Sequence, residues 1–149
     1  MKKRLEKILF SYFLILLFIF IYPISINGNK NFIETEPLSV EEAFQIDFLV
    51  LSPTEIIIRW EIDNSYYLYK KKIAFSSLDY TIQKLILPAG QIKEDHYFGK
   101  SEVYYEILEA TIIIKPRNQE NSSGIIFVEY QGCWEGGVCY PVQKTLIRI

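Results

Sequence analysis

Residues 55–62 read Glu-Ile-Ile-Ile-Arg-Trp-Glu-Ile, with Ile56, Ile58, Trp60 and Ile62 on one face and Glu55, Ile57, Arg59 and Glu61 on the other. A side-chain period of two is the mark of a strand with one buried face. Similar short runs recur at 43–50, 66–69, 72–75, 82–87, 104–114, 125–130 and 145–149. Turn chemistry separates them, at Ser52-Pro53, Asp63-Asn64-Ser65, Pro88-Ala89-Gly90, Lys115-Pro116-Arg117-Asn118 and 121–124. In those positions Pro presets φ, Gly supplies positive φ, and Asn, Asp and Ser bond their own backbone. Aromatics form 15% of the chain; with β-branched residues in every segment past the first thirty, this composition fits pleated, half-buried surfaces. Seven or more short strands, with no 3.6-residue period after the start of the chain, predict an all-β antiparallel sandwich.

The first residues have a different logic. Lys2, Lys3, Arg4 and Lys7 stand against a lone Glu6, and an apolar run follows from Ile8 to about Tyr22. This is the charged and apolar order of a secretory leader, so residues 1–28 are expected to be a signal peptide or an uncleaved N-terminal anchor, and 29–149 one domain. Ile24-Ser25-Ile26-Asn27-Gly28 lacks a clean small-x-small cleavage pattern, which keeps the anchor open. No cysteine lies near that boundary, which excludes a lipoprotein anchor. Without the leader's four cations and one anion the net charge goes from −2 to −5. Such a surface lacks the clustered Lys/Arg footprint that nucleic acid requires, and no nucleic-acid partner is expected.

Export decides how the two cysteines are read, because thiols outside the cytoplasm can stay oxidised. Cys133-Trp134-Glu135-Gly136-Gly137-Val138-Cys139 follows one strand run and precedes another, as a hairpin with a cysteine at each shoulder and a Gly-Gly tip. Opposed residues of an antiparallel pair come about 4.5 Å apart at Cα, within reach of a disulfide. As a staple the bridge is weak. Closing so short a loop removes roughly 2.4 kcal/mol of unfolded-chain entropy, against about 4.7 for a hundred-residue loop. An exposed bridge at a loop exchanges readily with an attacking thiolate. The residues alone leave a redox-active pair and an inert disulfide both open.

Other chemistry is poorly served. The one histidine, His96, follows Glu94-Asp95 in a polar loop, and there is no G-x-S-x-G turn for a hydrolase. Cys133, Cys139 and His96 lack metal-ligand spacing. No phosphate loop is present. Neither metal nor cofactor is expected. Asn121-Ser122-Ser123 fits a glycosylation sequon, a pattern too short to weigh much.

Four ordered segments carry a resemblance: Ala43-Phe44-Gln45-Ile46-Asp47-Phe48, Tyr66-Tyr67-Leu68-Tyr69-Lys70, residues 94–102, and Tyr130-Gln131-Gly132-Cys133 through Cys139-Tyr140-Pro141. The chain from about Phe32 to Ile147 resembles the N-terminal periplasmic domain of the thiol:disulfide interchange protein DsbD. The resemblance implies an immunoglobulin-like sandwich whose Cys133 and Cys139 alternate between dithiol and disulfide. It implies that Cys139 forms the mixed disulfide with donor and acceptor, with Cys133 resolving it. It further implies a cap loop, Asp95-His96-Tyr97-Phe98-Gly99, over the pair, and Tyr67 and Tyr69 lining the same site. From the residues alone, Tyr67 and Tyr69 are equally well core or surface aromatics.

The implied partners are thioredoxin-like exported proteins and a membrane-embedded or thioredoxin-like electron donor. The family's proteins continue into such domains, whereas this chain stops at Ile149, so the donor is expected on a separate polypeptide. The cap departs from the family, with His96 and Tyr97 where an acidic residue and a phenylalanine are usual. A non-catalytic sandwich that docks partners and carries a structural disulfide is the rival expectation. A purely structural envelope domain is a third, and leaves Tyr97-Phe98 unexplained.

Overall fold

Alternating apolar residues bury one face of each strand, and that rule builds the core. The computed structural model describes residues 36–118 and 123–149; the leader expected at 1–28 and part of the sequon lie outside them. A four-residue helix α1 (Val40–Ala43) leads into β1 (Phe44–Ser52). Its Ser39 and Glu42 form a reciprocal capping box, which offsets the unpaired amides of a turn too short to hold itself. Then come β2 (Glu55–Ile62), β3 (Tyr66–Tyr69), a 3₁₀ turn (Lys70–Lys72), β4 (Ala74–Ser76), β5 (Tyr80–Ile86) and β6 (Gln91–Asp95). β7 (Gly99–Tyr104), β8 (Ile107–Pro116), β9 (Ile125–Tyr130), β10 (Gly132–Trp134), β11 (Val138–Cys139) and β12 (Gln143–Arg148) complete the order.

The strands form three sheets, ordered β1-β2-β8-β5, β11-β10-β3-β7-β6 and β12-β9-β4. Every ladder is antiparallel. One core joins all three sheets: Ile56, Ile58 and Trp60 of β2, Leu108, Ala110 and Ile112 of β8, Leu68 of β3 and Val128 of β9 are all fully buried. Trp60 sits edge-on to Tyr130 at 5.9 Å between ring centroids and to Phe75 at 6.3 Å. Emptying that position with alanine would cost about 3–5 kcal/mol. Among the described residues no helix is long and apolar enough to cross a membrane.

Four expectations need adjustment. The run 104–114 is two strands in two sheets, because Glu106 takes φ 58° and the chain turns a corner there. Its carbonyl accepts from the Ile62 amide at 2.6 Å, tying that corner to the end of β2. The run 72–75 starts as a 3₁₀ turn and becomes strand only at Ala74. The first run turns once as α1 before extending. The polar loop expected around Glu94-Asp95-His96 and Tyr97-Phe98 is the end of a hairpin, β6 and β7, with only His96, Tyr97 and Phe98 outside the ladder. β6 escaped a pattern search because it is an edge strand rich in charge, which protects an edge from further pairing.

Candidate thiol-disulfide site

β3 is buried on both faces, and this places the site. Tyr66 and Leu68 enter the main core, while Tyr67 and Tyr69 point the other way into a second cluster with Val103 and Cys133. β10 pairs with β3 so that Cys133 stands opposite Tyr67, and with β11 so that Cys133 stands opposite Cys139. A disulfide joins the two cysteines across that narrow hairpin, with Cα atoms 4.0 Å apart. The reversal uses Gly137 at φ 91°, with its amide on the Trp134 carbonyl at 3.0 Å. Gly136 lies beneath the Trp134 indole, where a Cβ would collide with the ring.

The two sulfurs differ in access. Cys133 is fully buried, whereas Cys139 is half-buried on the two-residue edge strand β11. The expectation of an exposed bridge therefore holds for neither cysteine in full, since Cys133 is enclosed and Cys139 is half-buried against the same cluster. The buried one is enclosed because β10 lies between β11 and β3 rather than at the rim.

Asp95 organises the polar part of the site. Its Oδ2 accepts hydrogen bonds from both tyrosine hydroxyls, Tyr67 at 3.2 Å and Tyr69 at shorter range. Its Oδ1 accepts from the Tyr97 and Phe98 amides at 2.9 and 2.8 Å, the self-bonding that aspartate makes at turns. Burial pushes this carboxyl up, but the bonds from Tyr69, the Phe98 and Tyr97 amides and Tyr67 outweigh it and hold Asp95 below its ordinary value. Burial, with the carboxylate's help, pushes the Tyr67 hydroxyl up to about 12 and moves Tyr69 in the same direction. Both phenols therefore stay protonated at neutral pH. Tyr69 Oη lies 3.4 Å from Cys133 Sγ and 4.0 Å from Cys139 Sγ. With its proton directed to Asp95, that oxygen presents lone pairs to the sulfurs.

The turn of the β6–β7 hairpin stands over this cluster, with Gly99 at φ 62° closing it. Such a three-residue turn needs one left-handed position, which glycine takes without penalty. Phe98 packs edge-on to Tyr69 at 4.7 Å. Tyr97 is 50% exposed, and its hydroxyl donates to the Gly137 carbonyl at 2.5 Å, bridging the turn to the cysteine hairpin. His96 is exposed.

The cysteines, Tyr67, Tyr69 and the cap residues 95–99 thus fall in one locale, with His96 on its outer side. Several others escaped notice. Lys93 bonds Glu135 at 2.7 Å and stands over the Tyr67 ring at 4.6 Å, and Tyr105 donates to the same carboxylate at 2.8 Å. Lys71 and Lys72 lie over the Phe98 ring at 5.1 and 4.5 Å. Only the repeated lysines of 70–72 carried any signal, and a charge run is more often a solvated face.

Fold and site together define a class, an antiparallel sandwich carrying a hairpin disulfide under an aromatic cap, one sulfur enclosed and its partner near the surface. Residues 34–149 match the family described as thiol:disulfide interchange protein DsbD, N-terminal. The chain belongs to that family. It is 32% identical over 122 residues to the DsbD protein of Klebsiella pneumoniae, covering 82% of this chain and 19% of the relative. The Citrobacter koseri protein is 37% identical with 82% and 20% covered, and DsbD 2 of Pseudomonas aeruginosa 36% with 78% and 19%. The chain thus spans about a fifth of the curated relatives it matches.

Among solved structures it is similar to the reduced DsbD N-terminal domain of Neisseria meningitidis, with TM-score 0.63, 28% identity and 78% and 91% of the two chains covered. It is also similar to that domain in a complex with the PilB N-terminal domain from the same organism, with TM-score 0.60, 28% identity and coverage of 76% and 88%. The sandwich is of the immunoglobulin-like type.

Proposed function

We propose that residues 29–149 form an extracytoplasmic thiol–disulfide exchange domain that relays electron pairs through Cys133 and Cys139. A thioredoxin-like or membrane-embedded donor supplies the electrons, and exported disulfide proteins receive them. The unequal burial of the two sulfurs carries this reading, together with membership of the DsbD N-terminal family.

Exchange requires in-line approach of a thiolate to one sulfur. A donor thiolate attacks Cys139 Sγ, the Cys133–Cys139 bond breaks, and Cys133 leaves as a thiolate that takes up a proton. The donor's second thiolate then breaks the mixed disulfide. The donor is left oxidised, and the domain holds two thiols. Delivery reverses the order: the Cys139 thiolate attacks an acceptor disulfide, Cys133 displaces the acceptor from Cys139, and the acceptor departs with two thiols.

Tyr69 bears on this cycle through its lone pairs. A Cys133 thiol can donate to Tyr69 Oη, whereas a thiolate there faces an oxygen backed by the Asp95 carboxylate. The reduced pair is shielded until a partner displaces the cap, where Phe98 covers Tyr69 and Tyr97 holds the hairpin tip.

Trapping tests the assignment. Cys133→Ser should accumulate a covalent complex with a thioredoxin-like partner through Cys139, and Cys139→Ser should not; the reverse pattern would exchange the roles. The fully buried Cys133 also suits an inert staple in a binding module. The reduction potential separates the readings, since structural disulfides lie below about −300 mV.

A further inference from the structure

Charge around the cap is unevenly neutralised. Lys70 pairs with Glu102 at 2.7 Å, and Lys93 with Glu135. Glu94 and Lys100 stand opposite each other in the β6–β7 register. Lys71 and Lys72 remain, and among the described residues neither contacts a carboxylate. Their ammonium groups lie over the outer part of the cap, at the Phe98 ring. From there the path to the reacting sulfur is short: Phe98 ring to Tyr69 ring at 4.7 Å, and Tyr69 Oη to Cys139 Sγ at 4.0 Å.

A protein partner that reaches Cys139 covers much more than the sulfur. A standard interface buries about 800 Å² per side, a patch roughly 16 Å in radius, and the lysines fall inside it. They are two adjacent cations in a domain whose net charge is otherwise negative; with the one negative charge of Asp95 beneath the turn counted against them, they still mark a local field opposite in sign to the whole. Such a field steers encounter and favours partners of complementary charge.

From this placement we propose that Lys71 and Lys72 form a docking site for acidic partners, selecting thioredoxin-like proteins that carry carboxylates on the rim beside their reactive cysteines. The inference rests on the exchange function proposed above and adds which partners that site accepts. It also couples docking to opening. A rim carboxylate that draws the two ammonium groups off Phe98 removes contacts that hold the cap.

A charge series of disulfides tests it. Reduced wild type, Lys71→Glu/Lys72→Glu and Lys71→Gln/Lys72→Gln are oxidised by dithiobis(nitrobenzoate), a dianion, by neutral bis(hydroxyethyl) disulfide and by dicationic cystamine. In each reaction Cys139 displaces one half of the reagent and Cys133 the other, so the pair loses two electrons and the reagent leaves as two thiols. The quantity read is each charged reagent's rate divided by the neutral one's, which cancels any change in cap opening or folding. Charge reversal should lower the dianion ratio about fivefold at low ionic strength, raise the cystamine ratio, and do neither in about 0.5 M salt. The glutamine pair should fall between.

The same variants are then oxidised by a thioredoxin-like disulfide protein with an acidic rim and by its version with those carboxylates changed to amides. Only the acidic form should lose rate on charge reversal. Equal ratios in all three proteins, or equal losses with both rims, would overturn the docking site while leaving the exchange function standing. If neither the neutral disulfide nor the thioredoxin-like protein oxidises the wild-type pair, the exchange function itself fails and the docking site with it.

Discussion

Tyr97→Phe deletes one atom and tests whether the cap is latched. The Tyr97 hydroxyl donates to the Gly137 carbonyl at 2.5 Å, a side-chain hydrogen bond from the tip of the β6–β7 turn to the cysteine hairpin, beside the Lys93–Glu135 pair further down β6. The ring is 50% exposed, so both groups regain water when the turn lifts. A neutral hydrogen bond of that kind contributes about 0.5–1 kcal/mol net, which is a two- to fivefold shift in the open fraction. Phe98 on Tyr69 and the Asp95 bonds to the turn amides remain in the variant, so the site still closes most of the time. If reduced Cys139 reacts only from the open form, its alkylation should accelerate by that same two- to fivefold. The assay is labelling by uncharged iodoacetamide in a Cys133→Ser background at a single pH of about 8, where thiolate supports measurable rates. Tyr97→Ala, which also removes the ring, should be at least as fast. Rates of wild type and both variants that agree within error, with thermal stability unchanged, would show that Tyr97 holds nothing in place.

Asp95 is held below its ordinary carboxylate value by its four bonds, so it contributes stability above the unfolded carboxylate pKa, and that contribution is lost as pH falls through the folded value. Denaturant midpoints should therefore separate wild type from Asp95→Asn at pH about 6 and converge toward pH about 2. Tyr67, pushed up to about 12, behaves in the opposite sense: its contribution is complete below the unfolded tyrosine value of about 10 and is lost as pH rises through the folded one. Tyr67→Phe should lose less stability than wild type over that alkaline window, as read by chemical denaturation. Gly132→Ala would bring a Cβ within 2.6 Å of the Tyr67 carbonyl and into the Phe44 ring. It should cost about 1–3 kcal/mol, roughly 4 °C in Tm per kcal/mol for a domain of about 120 residues, and a Tm within error of wild type would disprove that packing.

Much of the fold is local information. The alternation in 55–62 alone assigns Ile56, Ile58, Trp60 and Ile62 to the core, and all four are buried, because a strand's side chains alternate whatever it packs against. The cysteine spacing with its glycine tip likewise announces a hairpin, and β10 and β11 pair in the register that joins the two sulfurs. The same local rule could not say which way Tyr67 and Tyr69 face. Both faces of β3 are buried, and the difference between a second core row and a site wall depends on what lies opposite. Nor could it divide 104–114, whose apolar pattern runs straight through a corner that exists only because Glu106 adopts a left-handed backbone between two sheets. The contacts that make the site join residues 26, 64 and 70 apart in sequence, Tyr69 to Asp95, to Cys133 and to Cys139. The sequence by itself determined strands, core face and the cysteine hairpin, since these follow from backbone geometry over a few residues. Only the tertiary structure decided that one sulfur is enclosed, that one carboxylate holds two phenols and the cap, and that two lysines lie over the cap's Phe98 ring with no carboxylate partner among the described residues, because burial and charge pairing depend on neighbours supplied by distant strands.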